Sequence, residues 1–314
     1  MIISASRRTD IPTYYSEWFM NRIKEGFVMV RNPMNAHQIS HISLSCDVVD
    51  GIVFWTKNPT PMIERLDVLR GYMYYFQFTI TGYEKDIEQN VPDKNEVVIP
   101  TFKHLSEMLG ADRVIWRYDP ILLNQKYTPE YHIHAFRKIA ESLSNYTKKV
   151  TISFIDTDYR NIRNNFDALR LHDFNQEQRR ELSNQLAEIA CEFGLIIDTC
   201  AEKIDLSVFG IDHARCIDDR LFAKLLGCRL NVDKDKTQRL ECGCAAGIDI
   251  GAYNTCRNGC RYCYANYNQG IVKVNTEKHN PLSPLLLGEV GTEDKINERD
   301  VKSCCDRQMH LFDN

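Results

Sequence analysis

Gly51-Ile52-Val53-Phe54-Trp55 runs without interruption into Thr56-Lys57-Asn58. Five residues with no polar alternation are too short for an ordinary helix. They are also too uniformly apolar for a strand with one wet face, so they read as a strand buried on both faces, the habit of a parallel sheet. The same pattern recurs along the chain. Met1–Ala5 runs into Ser6-Arg7-Arg8-Thr9-Asp10, Tyr74–Phe78 into Thr79 and Thr81, Arg113–Trp116 into Arg117-Tyr118-Asp119, Val150–Phe154 into Asp156, and Leu195–Ile197 into Asp198-Thr199-Cys200.

Helical stretches separate these strands, at about 13–24, 60–71, 101–110, 129–145, 175–193 and 218–227. Thr128-Pro129-Glu130 and Asn175-Gln176-Glu177-Gln178 supply N-terminal caps for two of them. Phe27–Val30 and Ile39–Leu44, on either side of Arg31-Asn32-Pro33-Met34-Asn35, read as a hairpin inserted after the first helix. Strand and helix alternating six times predict an α/β fold with a parallel sheet, as a partial (β/α)6-type barrel in preference to a doubly wound sheet. In barrels the catalytic groups stand at the C-terminal ends of the strands. Arg7, Arg8, Asp10, Lys57, Asn58, Arg117 and Asp119 fall there, and their arginines suit an anionic group on a substrate.

This strand–helix region covers residues 1–228, and a cysteine-rich segment, 229–314, packs on it to make one structural unit. Asp233-Lys234-Asp235-Lys236-Thr237 reads as a solvated loop.

The chain has 314 residues, 43% hydrophobic and 26% charged, which excludes disordered and collagen-like classes. Its formal charge of −4 does not advertise a nucleic-acid partner, although a local basic groove remains open. No signal-peptide pattern follows the first residues, and no apolar run approaches the roughly 20 residues that span a bilayer. The expectation is a cytoplasmic protein with no membrane partner. In that compartment 12 cysteines read as metal ligands or redox groups before they read as disulfides.

Cys256, Cys260 and Cys263 stand at C-x3-C-x2-C spacing, with Gly259 at the bend. Three thiolates on a short loop can hold three corners of a 4Fe-4S cluster and leave one iron open, as a catalytic metal requires. Cys200, Cys216, Cys242 and Cys244 make a second, complete set of four. They suit a closed auxiliary 4Fe-4S cluster, with a structural zinc site as the competing reading. Cys46, Cys191 and Cys228 read as buried small hydrophobes, and Cys304-Cys305 as surface thiols. His132 and His134, about 200° apart on a helix, cannot share a face.

The triplet, with Tyr262 before its last cysteine, resembles the cofactor motif of the radical S-adenosylmethionine (SAM) superfamily. The Tyr262-Cys263-Tyr264-Ala265 form resembles its spore photoproduct lyase branch. Along the whole chain the resemblance is to the bacterial family DUF1848, carried by Ser4–Pro12, Phe54–Pro59, Trp116–Ile121, Cys200–Glu202, Cys242–Cys244 and the terminal cysteine cluster. Radical SAM enzymes place the triplet after the first barrel strand, whereas here it follows residue 250. A circular permutation reconciles the two, with Ile248–Tyr253 as the lead-in.

The resemblance implies SAM chelated at the open iron beside Cys256, Cys260, Cys263 and Tyr262, and reductive cleavage to a 5′-deoxyadenosyl radical. It also implies a reductant such as a flavodoxin or ferredoxin, and an unknown substrate facing Arg7, Asp10, Lys57, Arg117 and Asp119. Two other classes stay open. One is an iron–sulfur protein that only transfers electrons or stabilises the fold. The other is a zinc-bearing nucleic-acid module using Arg257 and Arg261 with Tyr253, Tyr262, Tyr264 and Tyr267.

Overall fold

The computed structural model describes residues 1–156, 162, 169–172 and 174–306. Its strands are β1 (Ile2–Ala5), β2 (Phe27–Asn32), β3 (Asn35–Ser43), β4 (Gly51–Thr56), β5 (Tyr74–Thr79), β6 (Val114–Ile121), β7 (Lys149–Phe154), β8 (Ile196–Thr199), β9 (Asp212–His213), β10 (Arg229–Leu230), β11 (Ile248–Asp249), β12 (Lys295–Glu298) and β13 (Cys305–Asp306). Eight of them form one sheet in the order β11-β1-β4-β5-β6-β7-β8-β9. Every pairing within it is parallel. All six expected strands are present, and two-residue strands extend the sheet at both edges.

The helices are α1 (Ile11–Tyr14), α2 (Ser16–Glu25), α3 (Thr60–Ile63), α4 (Ile99–Leu109), α5 (Pro129–Leu143), α6 (Gln176–Glu192), α7 (Asp219–Leu226) and α8 (Gln269–Glu277). Two expected helices are broken. The one at 13–24 divides at Tyr15, where α1, capped by the Asp10 carboxylate on Thr13 N, hands over to α2. The one at 60–71 becomes α3 and a 3-10 turn, Leu66–Leu69. The helix expected from 101 opens two residues earlier, after a π-helical turn at Lys94–Val98 capped by Asp93. Thr128 and Asn175 cap α5 and α6, the latter by a reciprocal box with Gln178.

Alternate strand residues separate two cores. Ile3, Ala5, Ile52, Phe54, Phe76, Phe78, Val114 and Trp116 pack on Trp18 and Phe19 of α2, Phe102 of α4, Phe136 of α5 and Leu186 of α6. Ile2, Val53, Tyr75 and Ile115 point the other way, onto Phe222 of α7, Ile217, Cys242 and Cys244. The crossover helices thus share one face, and the order β1-β4-β5-β6-β7-β8 never reverses, so the sheet winds in one sense rather than doubly. The 214–245 segment fills the opposite face. Among the described residues the sheet ends at β11 and β9 without closing.

β2 and β3 pair antiparallel as the expected hairpin, and β12 joins β3 in parallel. The cysteine-rich segment contributes β11 directly to the main sheet, while β10 and β13 form a small antiparallel pair. No helix among the described residues is long and apolar enough to cross a membrane.

Several single-residue expectations are corrected. Cys46 and Cys191 are exposed, not buried. Cys191 follows the buried Ile189 and Ala190, and the next 100° step turns it off that stripe. Cys228 and Cys305 are bridged by a disulfide, which leaves Cys304 as the free thiol of its pair. Within the loop expected to be solvated, Asp235 is buried and accepts hydrogen bonds from Thr237 N (3.0 Å) and Oγ1 (2.6 Å). His132 is fully buried and His134 exposed, as the helical spacing requires.

Candidate functional site

The C-terminal ends of β1, β4, β5, β6, β7 and β8 open on a cavity of about 340 Å3. Arg7, Asp10, Lys57, Arg117, Asp119 and Tyr262 line it, together with both cysteine sets. Residues separated by more than 250 positions in sequence meet here because each follows a strand of one parallel sheet.

Cys256, Cys260 and Cys263 lie on the loop after β11, all partly buried. Gly259 turns the loop in the left-handed region (φ 66°), which a side chain would resist. Neighbours hold the loop from outside. Asn90 N donates to Asn258 O (3.0 Å), Arg261 N to Ile87 O (3.0 Å), Tyr14 OH to Asn258 Oδ1 (2.8 Å) and Tyr15 OH to Thr255 O (2.6 Å). Burial raises all three thiol pKa values, that of Cys260 to about 12 despite the nearby Lys57 ammonium. As thiols they keep their protons, so a bound cation is what would draw them off.

Glu88, in the loop after β5, organises one wall. Its Oε1 accepts from Lys57 Nζ (2.7 Å), Thr81 Oγ1 (2.9 Å) and Tyr262 OH, and Lys94 Nζ lies 2.8 Å from Oε2. Burial alone would raise this carboxyl. The two ammonium groups prevail and bring its pKa to about 2. Lys57 is raised above its ordinary range, since Glu88 outweighs the desolvation of the cation. The ammonium also lies 5.6 Å from the centre of the Tyr262 ring.

Asp10 is fully engaged. Its Oδ2 accepts from Lys57 N (2.8 Å) and Asn258 Nδ2 (3.0 Å), while Oδ1 caps α1. The residue therefore ties β1, β4 and the cysteine loop together. Asp249 does the same for β11 and β1, accepting from Ser4 Oγ (3.0 Å), Ser6 Oγ (2.6 Å) and Arg7 N (2.8 Å). Gly251 makes that approach possible, because a Cβ there would stand 2.1 Å from Ser6 Oγ.

The second cysteine set gathers at the opposite wall. Cys216 Sγ is 3.4 Å from Cys200 Sγ, and Cys244 and Cys242 continue the series. Sulfur contacts with Cys200 and Cys244, helped by Arg117, hold the Cys216 thiol far below its usual range against burial. The contact with Cys244 brings Cys242 to about 6. Arg117 donates to Cys216 Sγ (2.9 Å) and forks onto Asp119 (3.1 and 2.6 Å). Arg7 and Arg117 both lie over the Trp55 ring, at 5.4 and 5.2 Å, and both guanidiniums feel the charge of Cys216. Four sulfurs thus gather beside the buried Arg117 guanidinium and the half-buried Arg7.

Of the strand-end and cysteine residues singled out for the site, all but Asn58 line this one cavity, and Asn58 Oδ1 instead accepts from Thr60 Oγ1 (2.6 Å). Sequence reasoning missed Glu88, Trp55, Asn258 and Asp249 as site residues. Asp249 alone had a local signal, as the polar end of a short apolar lead-in. Among the described residues, no group of three or more His, Cys, Asp or Glu could hold a metal ion as it stands.

The family model described as a domain of unknown function, DUF1848, matches residues 2–265, a span that takes in all of the strand ends and both cysteine sets. No curated protein matches the chain.

Proposed function

The chain belongs to the DUF1848 family, and from that premise we propose that it is an iron–sulfur enzyme of radical SAM type, acting on a substrate held in the strand-end cavity. The observation that carries the reading is the place of the triplet. Cys256, Cys260 and Cys263 follow β11, which pairs in parallel with β1 and stands first in the spatial order of the sheet. On this reading the sequence-late β11 would stand in for the first barrel strand of radical SAM enzymes, as a circular permutation requires.

The donor set fits a cluster with one open iron. Three thiols on one loop line the cavity, and Cys260 and Cys263 lie close enough to Cys256 to help raise its pKa. When bound, such a cluster supplies the electron that cleaves SAM. The protein's own part is positional. Asp10 and Asn258 fix the loop against β1 and β4. Glu88 fixes Tyr262 and keeps Lys57 protonated at the wall. Apolar packing of Tyr83, Ile87 and Tyr262 keeps water from that side. At the far wall Arg7 and Arg117 lie beside Cys216, and Cys200, Cys216, Cys242 and Cys244 would hold the auxiliary 4Fe-4S cluster.

Electron paramagnetic resonance of the reconstituted, reduced protein tests this. Adding SAM shifts the signal of the wild type, and Cys260→Ala loses that response while keeping the auxiliary signal. A spectrum indifferent to SAM overturns the reading in favour of electron transfer.

A further inference from the structure

A third group of cysteines lies apart from the cavity and takes no part in the function just proposed. The Cys228–Cys305 bridge joins positions 77 residues apart. It sits where β10 and β13 pair, with Leu230 opposite Cys305 and Arg229 opposite Asp306. Both cysteines are half-buried, so the bond can be reached from solvent, and Cys304 beside it is a free thiol.

The bridge is not what holds the tail alone. Met1 N donates to Lys302 O (2.7 Å), Cys304 N to Asp50 Oδ2 (2.7 Å), Ser303 Oγ to Asp50 Oδ1 (2.5 Å) and Asn231 N to Cys304 O (2.7 Å). With those bonds in place, opening the disulfide leaves a folded chain. The consequence travels toward the cavity. Within a few residues of β10 the backbone bonds to the second cysteine set, with Asp235 N on Cys244 O (2.9 Å) and Ala246 N on Asp233 O (2.8 Å), and Asp235 also faces Arg7 at 3.6 Å.

We propose that Cys228 and Cys305 form a reversible two-electron redox site that takes a dithiol reductant, clasping the strand that leads into the Cys242–Cys244 loop. One thiolate of the dithiol attacks a sulfur of the bridge. The S–S bond breaks, and the displaced cysteine takes a proton. The second thiol of the dithiol then releases the mixed disulfide, so the dithiol leaves oxidised and Cys228 and Cys305 remain as thiols. This site does not depend on the iron–sulfur reading.

The full-length protein, equilibrated anaerobically in a series of reduced and oxidised dithiothreitol ratios, is trapped with an alkylating reagent and its cysteine peptides are read by mass spectrometry. Cys228 and Cys305 become labelled together, the thiol-to-disulfide ratio changing tenfold for every ~30 mV, as a two-electron couple requires. The exposed Cys46 and Cys191 are labelled throughout. In Cys228→Ser, Cys305 no longer titrates with the buffer as a bridged pair. On reduction, hydrogen exchange rises in residues 229–235 and stays unchanged in β4 and β5. Labelling of both cysteines at every ratio, a bridge that survives excess reductant in the folded protein, or a metal ion lost on Cys228→Ser would each overturn the proposal.

Discussion

Lys57 Nζ and Glu88 Oε1 meet at 2.7 Å in the wall of the cavity, and the Tyr262 hydroxyl donates to the same oxygen. One carboxylate thereby connects the end of β4, the loop after β5 and the cysteine loop. A buried pair of this kind is weak as a source of net stability but costly to break from one side. Glu88→Gln leaves Lys57 and Lys94 facing each other without a counter-charge, and we expect a loss of about 3 kcal/mol in chemical denaturation. A double-mutant cycle with Lys57→Met returns a coupling of roughly 1–3 kcal/mol. Additive single costs contradict the arrangement. Because the folded pKa of Glu88 is depressed to about 2, its contribution is complete above the usual carboxylate range and fades as pH falls toward that value.

His132 governs a different pH window. Its Nδ1 lies 2.8 Å from Tyr118 OH and its Nε2 2.8 Å from Leu122 O, and burial lowers its pKa to about 4. Between about 6.5 and 4 the unfolded chain binds a proton that the folded chain refuses. Stability is therefore full above that window and falls as pH drops through it, by roughly 3 kcal/mol. Urea midpoints measured from pH 7 to pH 4 follow that slope, and His132→Gln flattens it. An unchanged slope in the variant assigns the effect elsewhere.

Gly251→Ala tests the contact that joins the cysteine-rich segment to the sheet. The new methyl group meets Ser6 Oγ, which is already bound to Asp249. We expect a destabilisation of about 1–3 kcal/mol. Gly71→Ala, with nothing within 4 Å of its Cβ, stays within about 0.5 kcal/mol of the wild type. Equal melting temperatures for the two variants would show that β11 does not pack on β1 as described.

The two cysteine sets predict separable iron. After anaerobic reconstitution the wild type holds about eight iron atoms per chain, and the triple variant Cys256→Ala, Cys260→Ala, Cys263→Ala holds about four. Replacing Cys200 and Cys216 by alanine removes the other four. If either variant loses all of its iron, the two sets do not bind independently.

The six strands were legible because a strand covered on both faces needs an unbroken apolar run, as in Gly51–Trp55 and Tyr74–Phe78. Their polar ends were legible as a site for the same reason. The helices were less so: nothing in the apolar spacing of 13–24 or 60–71 marks the breaks at Tyr15 and Arg65, which follow from how the chain leaves each strand. Glu88 could not have been found, since it stands in the stretch Glu84–Asn90, where Ile87 is the single apolar residue and no period distinguishes it. Its partners converge only in three dimensions. Asp10 was singled out as a polar strand end, yet Asp10-Ile11-Pro12 also carries a helix-cap signature that explains one of its three bonds. The bridge between Cys228 and Cys305 was invisible because β10 and β13 are two residues long and far apart in sequence.

The central claim is that the loop of Cys256, Cys260 and Cys263 supports reductive cleavage of SAM. The most direct test is to supply the anaerobically reconstituted protein with SAM and a strong reductant and to measure 5′-deoxyadenosine. The wild type produces it, and the triple alanine variant of the loop, with its auxiliary iron intact, produces none. A wild type fully loaded with iron that yields no 5′-deoxyadenosine, or a triple variant that yields as much as the wild type, contradicts the account.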